Sequence, residues 1–324
     1  MRWLIVMVLL TTHSARAADA PLALESKIPL GAVSGRIDHL ALDLARKRLF
    51  VAELGNGSVG VVDIANGTVL RRITGPREPQ GVGYLAATDT LYVASAHDGS
   101  VSLFAAESYT AAGRIELDDD ADNIRIDATA GRVYVGYGSG GIAVIDREGH
   151  ALKDALRLPG HPEGFQLDPN SSRVYVNVPD KRQIVVLDRN TGSQVAAWTP
   201  HGLRSNFPMA IDAARDRVLV GFRSPARLVA FNAADGTVAA NIATCGDADD
   251  VFVDAMRERV YVSCGDGMLD VFDAASGGFA QMARIETVSG ARTALFVPEL
   301  DRLYLAVRAR SGEPAAIWVY RPTP

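Results

Sequence analysis

Short runs of β-branched and aromatic residues alternate along the chain with clusters of Gly, Asp, Asn and Thr. This is the pattern of strands and turns, and no stretch after the first twenty residues carries a sustained helical period. One run recurs: Leu49-Phe50-Val51, Leu91-Tyr92-Val93, Val133-Tyr134-Val135, Val174-Tyr175-Val176, Val218-Leu219-Val220, Val260-Tyr261-Val262 and Leu303-Tyr304-Leu305. Successive copies are 42, 42, 41, 44, 42 and 43 residues apart. In each copy an apolar strand precedes this run, as Ile124-Arg125-Ile126 precedes the third. A third strand follows and ends in aspartate at Asp63, Asp146, Asp188 and Asp273. Turns such as Asn66-Gly67, Thr191-Gly192 and Asp235-Gly236 then lead into a fourth strand.

Four short strands in every ~40–50 residues are the signature of a propeller blade. The predicted fold is all-β: a seven-bladed β-propeller of four-stranded antiparallel blades in a single domain over residues 21–324. The blades fall near residues 36–75, 78–117, 120–158, 161–200, 204–244, 247–287 and 290–321. The last copy is one strand short. The unassigned strand-like segment 22–28 is expected to complete it and close the ring, removing the open edges an incomplete ring would leave.

The amino terminus differs from the repeats. Arg2 precedes an apolar run from Trp3 to Leu10, followed by the small-residue signals Ala15-Arg16-Ala17 and Ala18-Asp19-Ala20. The run is too short for a membrane span of ~20 residues. It reads as a signal peptide over residues 1–17, with cleavage after residue 20 as the second choice. The mature chain has no transmembrane segment in this reading, and the expected location is periplasmic or secreted. The two cysteines, Cys245 and Cys264, are then a disulfide candidate, because export brings oxidising conditions.

Of the 324 residues, 48% are hydrophobic and 22% charged, which suits a packed globular chain rather than a disordered one. The formal charge of −5 argues against nucleic acid as the partner. Aspartate followed five residues later by arginine recurs as Asp43/Arg48, Asp127/Arg132, Asp168/Arg173, Asp212/Arg217 and Asp254/Arg259. Recurrence at one hairpin position marks these as structural pairs, not catalytic ones. Gly136-Tyr137-Gly138-Ser139-Gly140-Gly141 matches G-x-G-x-x-G but leads into a strand, so there is no helix terminus for a pyrophosphate. There is no G-x-S-x-G elbow and no C-x-x-C-H.

The loops entering the first strand and leaving the second strand of each blade share one face, around the mouth of the central channel. The entering loops carry Asp38-His39, Gln80-Gly81, Asp122-Asn123, Glu163-Gly164, Asn206-Phe207-Pro208, Asp249-Asp250 and Arg292-Thr293. The leaving loops add Glu53, His97, Asp98, Tyr137, Asn177, Arg223, Asp266 and Arg308. Copies three and six are near twins, Asp120-Ala121-Asp122-Asn123 and Asp247-Ala248-Asp249-Asp250, roughly 154° apart around a seven-fold ring. The candidate ligand-binding residues are Asp38, His39, Gln80, His97, Asp122, Asn123, Glu163, Asn206, Asp249, Asp250 and Arg292. His39 and His97, on neighbouring copies, are a candidate pair. A hard divalent cation such as Ca²⁺ would take Asp38, Asp122, Asn123, Glu163, Asp249 and Asp250. Arg125, Arg204 and Arg292 are the alternative, neutralising the acids without metal.

The repeated Val-Tyr-Val strands, the ~42-residue period and the leader together resemble the bacterial YVTN, or YncE-like, seven-bladed β-propellers. The resemblance covers about residues 22 to 321, and Val174-Tyr175-Val176-Asn177 is the nearest match to the eponymous tetrad. It implies the propeller fold; the lack of a nucleophile motif and the polar mouth add the expectation of an exported, monomeric, non-catalytic protein that binds a small molecule, a peptide or an envelope protein at the channel mouth. One alternative is a metal-dependent lactonase or hydrolase with a cation in the channel. A second is DNA binding, which the resemblance brings with it and the acidic balance disfavours.

Overall fold

The computed structural model describes residues 20–138 and 140–324. The expected leader, residues 1–17, lies outside them. Twenty-eight strands form seven four-stranded antiparallel sheets. Six blades run outward in chain order. The first is Leu40–Asp43, Arg48–Glu53, Ser58–Asp63 and Thr68–Thr74, from the channel to the rim. The seventh takes Ala294–Val297, Arg302–Val307 and Ala315–Pro322 from the carboxyl end and Leu22–Gly31 from the amino end. That last pairing runs from Leu22 against Pro322 to Gly31 against Ala315, so the ring closes as expected. The described residues hold no α-helix, only 3-10 turns such as Leu54–Asn56 and Pro298–Leu300. Among the described residues no helix is long and apolar enough to cross a membrane.

Each hydrophobic cluster lies between two neighbouring sheets. Tyr175, Ile184 and Trp198 of the fourth blade pack on Val220, Val229 and Phe231 of the fifth. The repeated second-strand tyrosines Tyr92, Tyr134, Tyr175 and Tyr261 are fully buried in these seams. Burial of this kind, about 25 cal/mol per Å² of apolar area, is what holds blade to blade. Each flat face has an apolar partner on both sides only because the ring is complete.

The recurrent aspartates are structural, but their partner is not the arginine five residues on. Asp43 and Arg48, for example, stand opposite each other across the hairpin. Asp43, Asp212 and Asp254 instead bind the arginine three residues on: Arg46 at 2.7 Å, Arg215 at 3.2 Å and Arg257 at 3.2 Å. Those arginines reach onward to Asp89, Glu258 and Asp301 of the next blade. The turn geometry aims residue i+3 back at the buried carboxylate, and the device ties neighbouring blades together opposite the mouth.

The innermost strands are short and closely spaced. The His39 N–H donates to Gln80 O across blades at 3.3 Å, and Gly164 N–H to Phe207 O at 3.1 Å. A Cβ on Gly81 would lie 1.9 Å from Asp122 O, and one on Gly164 would lie 2.4 Å from Phe207 O. Only glycine permits that approach. Register shifts between Pro79 and Val82, Asn206 and Met209, and Ala248 and Asp250 bulge the starts of three of these strands. Such bulges re-aim side chains, and here they do so at the channel mouth.

Candidate functional site

The channel encloses a cavity of about 530 Å³. Its lower walls are the apolar strand bodies, including Leu40, Val82, Ile124, Val251 and Leu295, and its upper rim is charged. Seven residues expected at the mouth or just below it line this cavity: Asp38, His39, Asp122, Asn123, Glu163, Asp249 and Asp250.

On one side the acids have little compensation. His39 Nε2 sits 3.9 Å from Asp38 Oδ1 and 3.9 Å from Asp122 Oδ1, linking blades one and three over the small Gly81. Asp122 is 8% exposed, and its Oδ1 has no hydrogen-bond partner. Burial drives its pKa to about 7, against the pull of His39 and with the help of Asp38 and Glu163. Burial, then the Asp249 charge, pushes Glu163 up to about 7 as well. Glu163 forms no ion pair among the described residues. Asp120 accepts from Gln80 Nε2 at 3.2 Å, and its other oxygen faces His161 at 3.8 Å.

The twin loop in blade six is neutralised. Arg223 Nε lies 3.1 Å from Asp247 Oδ1, and Arg292 Nη1 lies 2.8 Å from Asp247 Oδ2. Arg292 Nε is 3.1 Å from Asp249 Oδ2, and Arg223 also pairs with Asp249. Arg223 is held by the Phe207 ring 3.8 Å beneath its guanidinium. Asp120 and Asp247 both adopt positive φ, 33° and 57°, so the backbones are alike and the partners decide the difference. Deeper in the channel, Asp250 accepts the Ala294 N–H at 2.8 Å. Burial, then Asp249, raises its pKa well above the ordinary value. Arg125, whose guanidinium lies 5.4 Å from the Phe165 ring, answers it, with burial pulling its own pKa down.

Between these halves stands an arginine group. Arg36 Nη2 pairs with Asp38 Oδ2 at 2.5 Å and donates to Gln80 Oε1 at 3.4 Å. Burial lifts the pKa of Asp38 above its ordinary value, with His39 and Arg36 opposing. Arg308 sits where burial and the like charges of Arg292 and Arg36 depress its pKa. Its buried Nε has no partner, and it forms no ion pair among the described residues.

Several expectations need correction. His97 is 43% exposed and 4.0 Å from Glu78, so it is not paired with His39. Asn206 is buried in the wall, donating to Asn177 Oδ1 at 3.0 Å and Gln183 O at 2.9 Å, which is a structural role for both asparagines. Glu53 is buried under Ser58 and Arg72. Gln80 and Arg292 brace the rim rather than line the cavity. Arg204 is exposed on the strand Arg204–Asp212 and forms no ion pair with a mouth acid among the described residues. Cys245 and Cys264 are bonded, with Cα atoms 5.8 Å apart, and tie the sixth entering loop to the end of that blade's second strand. The six candidate metal ligands do not converge. Among the described residues, the His, Cys, Asp and Glu groups whose ligand atoms lie within 4.8 Å of one another are Cys245, Cys264 and Asp266, and Asp146, Glu148 and His150. The first includes the disulfide, and neither is in the channel. Arg36 is the residue the strand pattern missed. Its signal was its position two residues before Asp38, on the same loop.

These features define the class: a seven-bladed β-propeller with a closed ring and a charged channel mouth. No protein-family model and no curated protein sequence matches the chain. Among solved structures, a chain of the mitotic checkpoint complex superposes with a TM-score of 0.78 at 16% identity, covering 98% of this chain and 99% of that one. A chain of hydrazine synthase from Kuenenia stuttgartiensis gives 0.77 at 16% identity, covering 95% and 99%. At such identity the likeness establishes the fold and nothing finer.

Proposed function

We propose that this protein is an exported binding module that holds a small polar molecule at its channel mouth, without covalent chemistry. One observation carries the reading. Asp122 and Glu163 bring carboxylates without arginine partners onto a cavity of about 530 Å³, within the ~300–1,000 Å³ of small-molecule sites. Burying such groups costs stability unless something outside the chain compensates them, and a retained cost of that kind marks a binding site. The His39 ring, poised between two carboxylates, supplies a further donor. The disulfide fits the oxidising side of a membrane, and the leader-like residues 1–17 agree with export.

The test is a thermal-shift screen of polar metabolites, covering amines, carboxylic acids, amino acids and sugars, on the wild type and on Asp122→Asn/Glu163→Gln. A ligand that binds the folded state raises Tm by mass action. The expected result is a class of compounds that stabilises the wild type and not the variant. Stabilisation that persists in the variant would place binding elsewhere and overturn the reading.

A further inference from the structure

We infer that the ligand is dipolar: a small molecule carrying an ammonium group at one end and a carboxylate at the other, of amino-acid or short-peptide size. The inference rests on the binding reading above and specifies its chemistry. The mouth holds an unanswered charge of each sign, at separate places. The negative place is Asp122 with Glu163. Asp122 is 8% exposed, lines the cavity and leaves Oδ1 without a hydrogen bond, and among the described residues the one ion-pair contact of that oxygen is His39 Nε2 at 3.9 Å. The positive place is Arg308 with Arg36. The Nε atoms of both are buried and without partners, and Arg308 has no carboxylate in ion-pair contact among the described residues.

The other two rim arginines are already in ion pairs. Arg223 and Arg292 are spent on Asp247 and Asp249. Arg36 Nη2 is spent on Asp38 and Gln80, while its Nε has no hydrogen-bond partner. A simple amine would answer Asp122 and leave Arg308 without a carboxylate beside Arg36 and Arg292. A simple acid would answer Arg308 and leave the buried carboxylates bare. One molecule with both groups answers both, and charge-assisted hydrogen bonds to each end fix its direction. The chain of contacts from Arg36 through Asp38 and His39 to Asp122 spans the two places along one side of the mouth.

A molecular ruler tests this. The ω-amino acids from glycine to 6-aminohexanoate are titrated calorimetrically against the full mature chain, with alkylamines and alkylcarboxylates of matching length as controls. The expected result is one preferred separation, bound at least 10-fold more tightly than either control. Arg308→Gln should reduce that compound to the affinity of its amine control, with Arg308→Lys restoring part of the loss. Asp122→Asn should reduce it to the affinity of its acid control. If an amine alone binds as tightly as the best amino acid and Arg308→Gln changes nothing, the dipolar inference fails and the binding reading stands. If no member of the three series binds at 10 mM, the dipolar inference also fails, and the metabolite screen alone decides the binding reading. Thermal melts of each variant separate lost binding from lost folding.

Discussion

At the scale of single residues, the mouth shows a cost that the rest of the ring does not share. Asp122 and Glu163 have folded-state pKa values near 7, against ordinary values of 3.8 and 4.5, because burial penalises their charged forms. Both shifts are upward, so the folded protein holds protons that the unfolded chain has already released. Their favourable contribution is full below about pH 4 and is lost as pH rises through 7. Asp122→Asn and Glu163→Gln should therefore each raise Tm by roughly 2–5 °C at pH 8, and the gain should shrink towards pH 5. Melting curves across that range check it; an equal gain at both pH values would contradict the titration. Asp43 makes the contrast, since its still more deeply buried carboxylate is answered by Arg46 at 2.7 Å.

At the scale of elements, legibility followed periodicity. The strand Val174-Tyr175-Val176 announces its place by repeating, and all seven second strands stand where the 42-residue period put them. The entering dipeptides were legible for the same reason: alignment on a repeated strand carries position with it, and Asp38, Asp122, Glu163 and Asp249 arrive at one cavity. Side-chain direction in loops has no such period. The His97 ring stands 43% exposed beside Glu78 rather than beside His39, and a bulge turns Asn206 into the wall. The Asp–Arg pairs misled in another way: cross-strand partnership put Asp254 opposite Arg259, while the turn sent Arg257 to the carboxylate. The bond between Cys245 and Cys264, 19 residues apart, restrains the sixth entering loop. Closing a loop of that size is worth about 3 kcal/mol in the chain-entropy model. Its loss in Cys245→Ser/Cys264→Ser should lower Tm by roughly 5–10 °C. The variant should still fold, because Asp270 separately accepts the Cys245 N–H at 2.9 Å. A melt unchanged by the double substitution would show that the loop is held without the bond.

At the scale of the whole molecule, closure is the condition for everything at the mouth. The strand Leu22–Gly31 comes from the far end of the chain and buries Leu22, Ile28 and Leu30 against the last blade. Removing residues 20–31 should expose the strand Ala315–Pro322 as an open edge. The expected outcome is a lower Tm and concentration-dependent association, read by scanning calorimetry and size-exclusion chromatography. A truncated chain that stays monomeric and melts with the wild type would mean the ring does not depend on that strand. Closure also brings residues near 38, 122, 163 and 249, remote in sequence, to one opening only a few side chains wide. The central claim is that this opening is where the ligand binds. Hydrogen–deuterium exchange with and without the best compound from the metabolite screen tests it most directly. The account predicts added protection at the peptides spanning 36–41, 120–126, 161–166 and 247–252, rising together with the segment around Arg308 at one ligand concentration. Protection instead on the outer strands or the opposite hairpins, with these four segments unchanged, would contradict it.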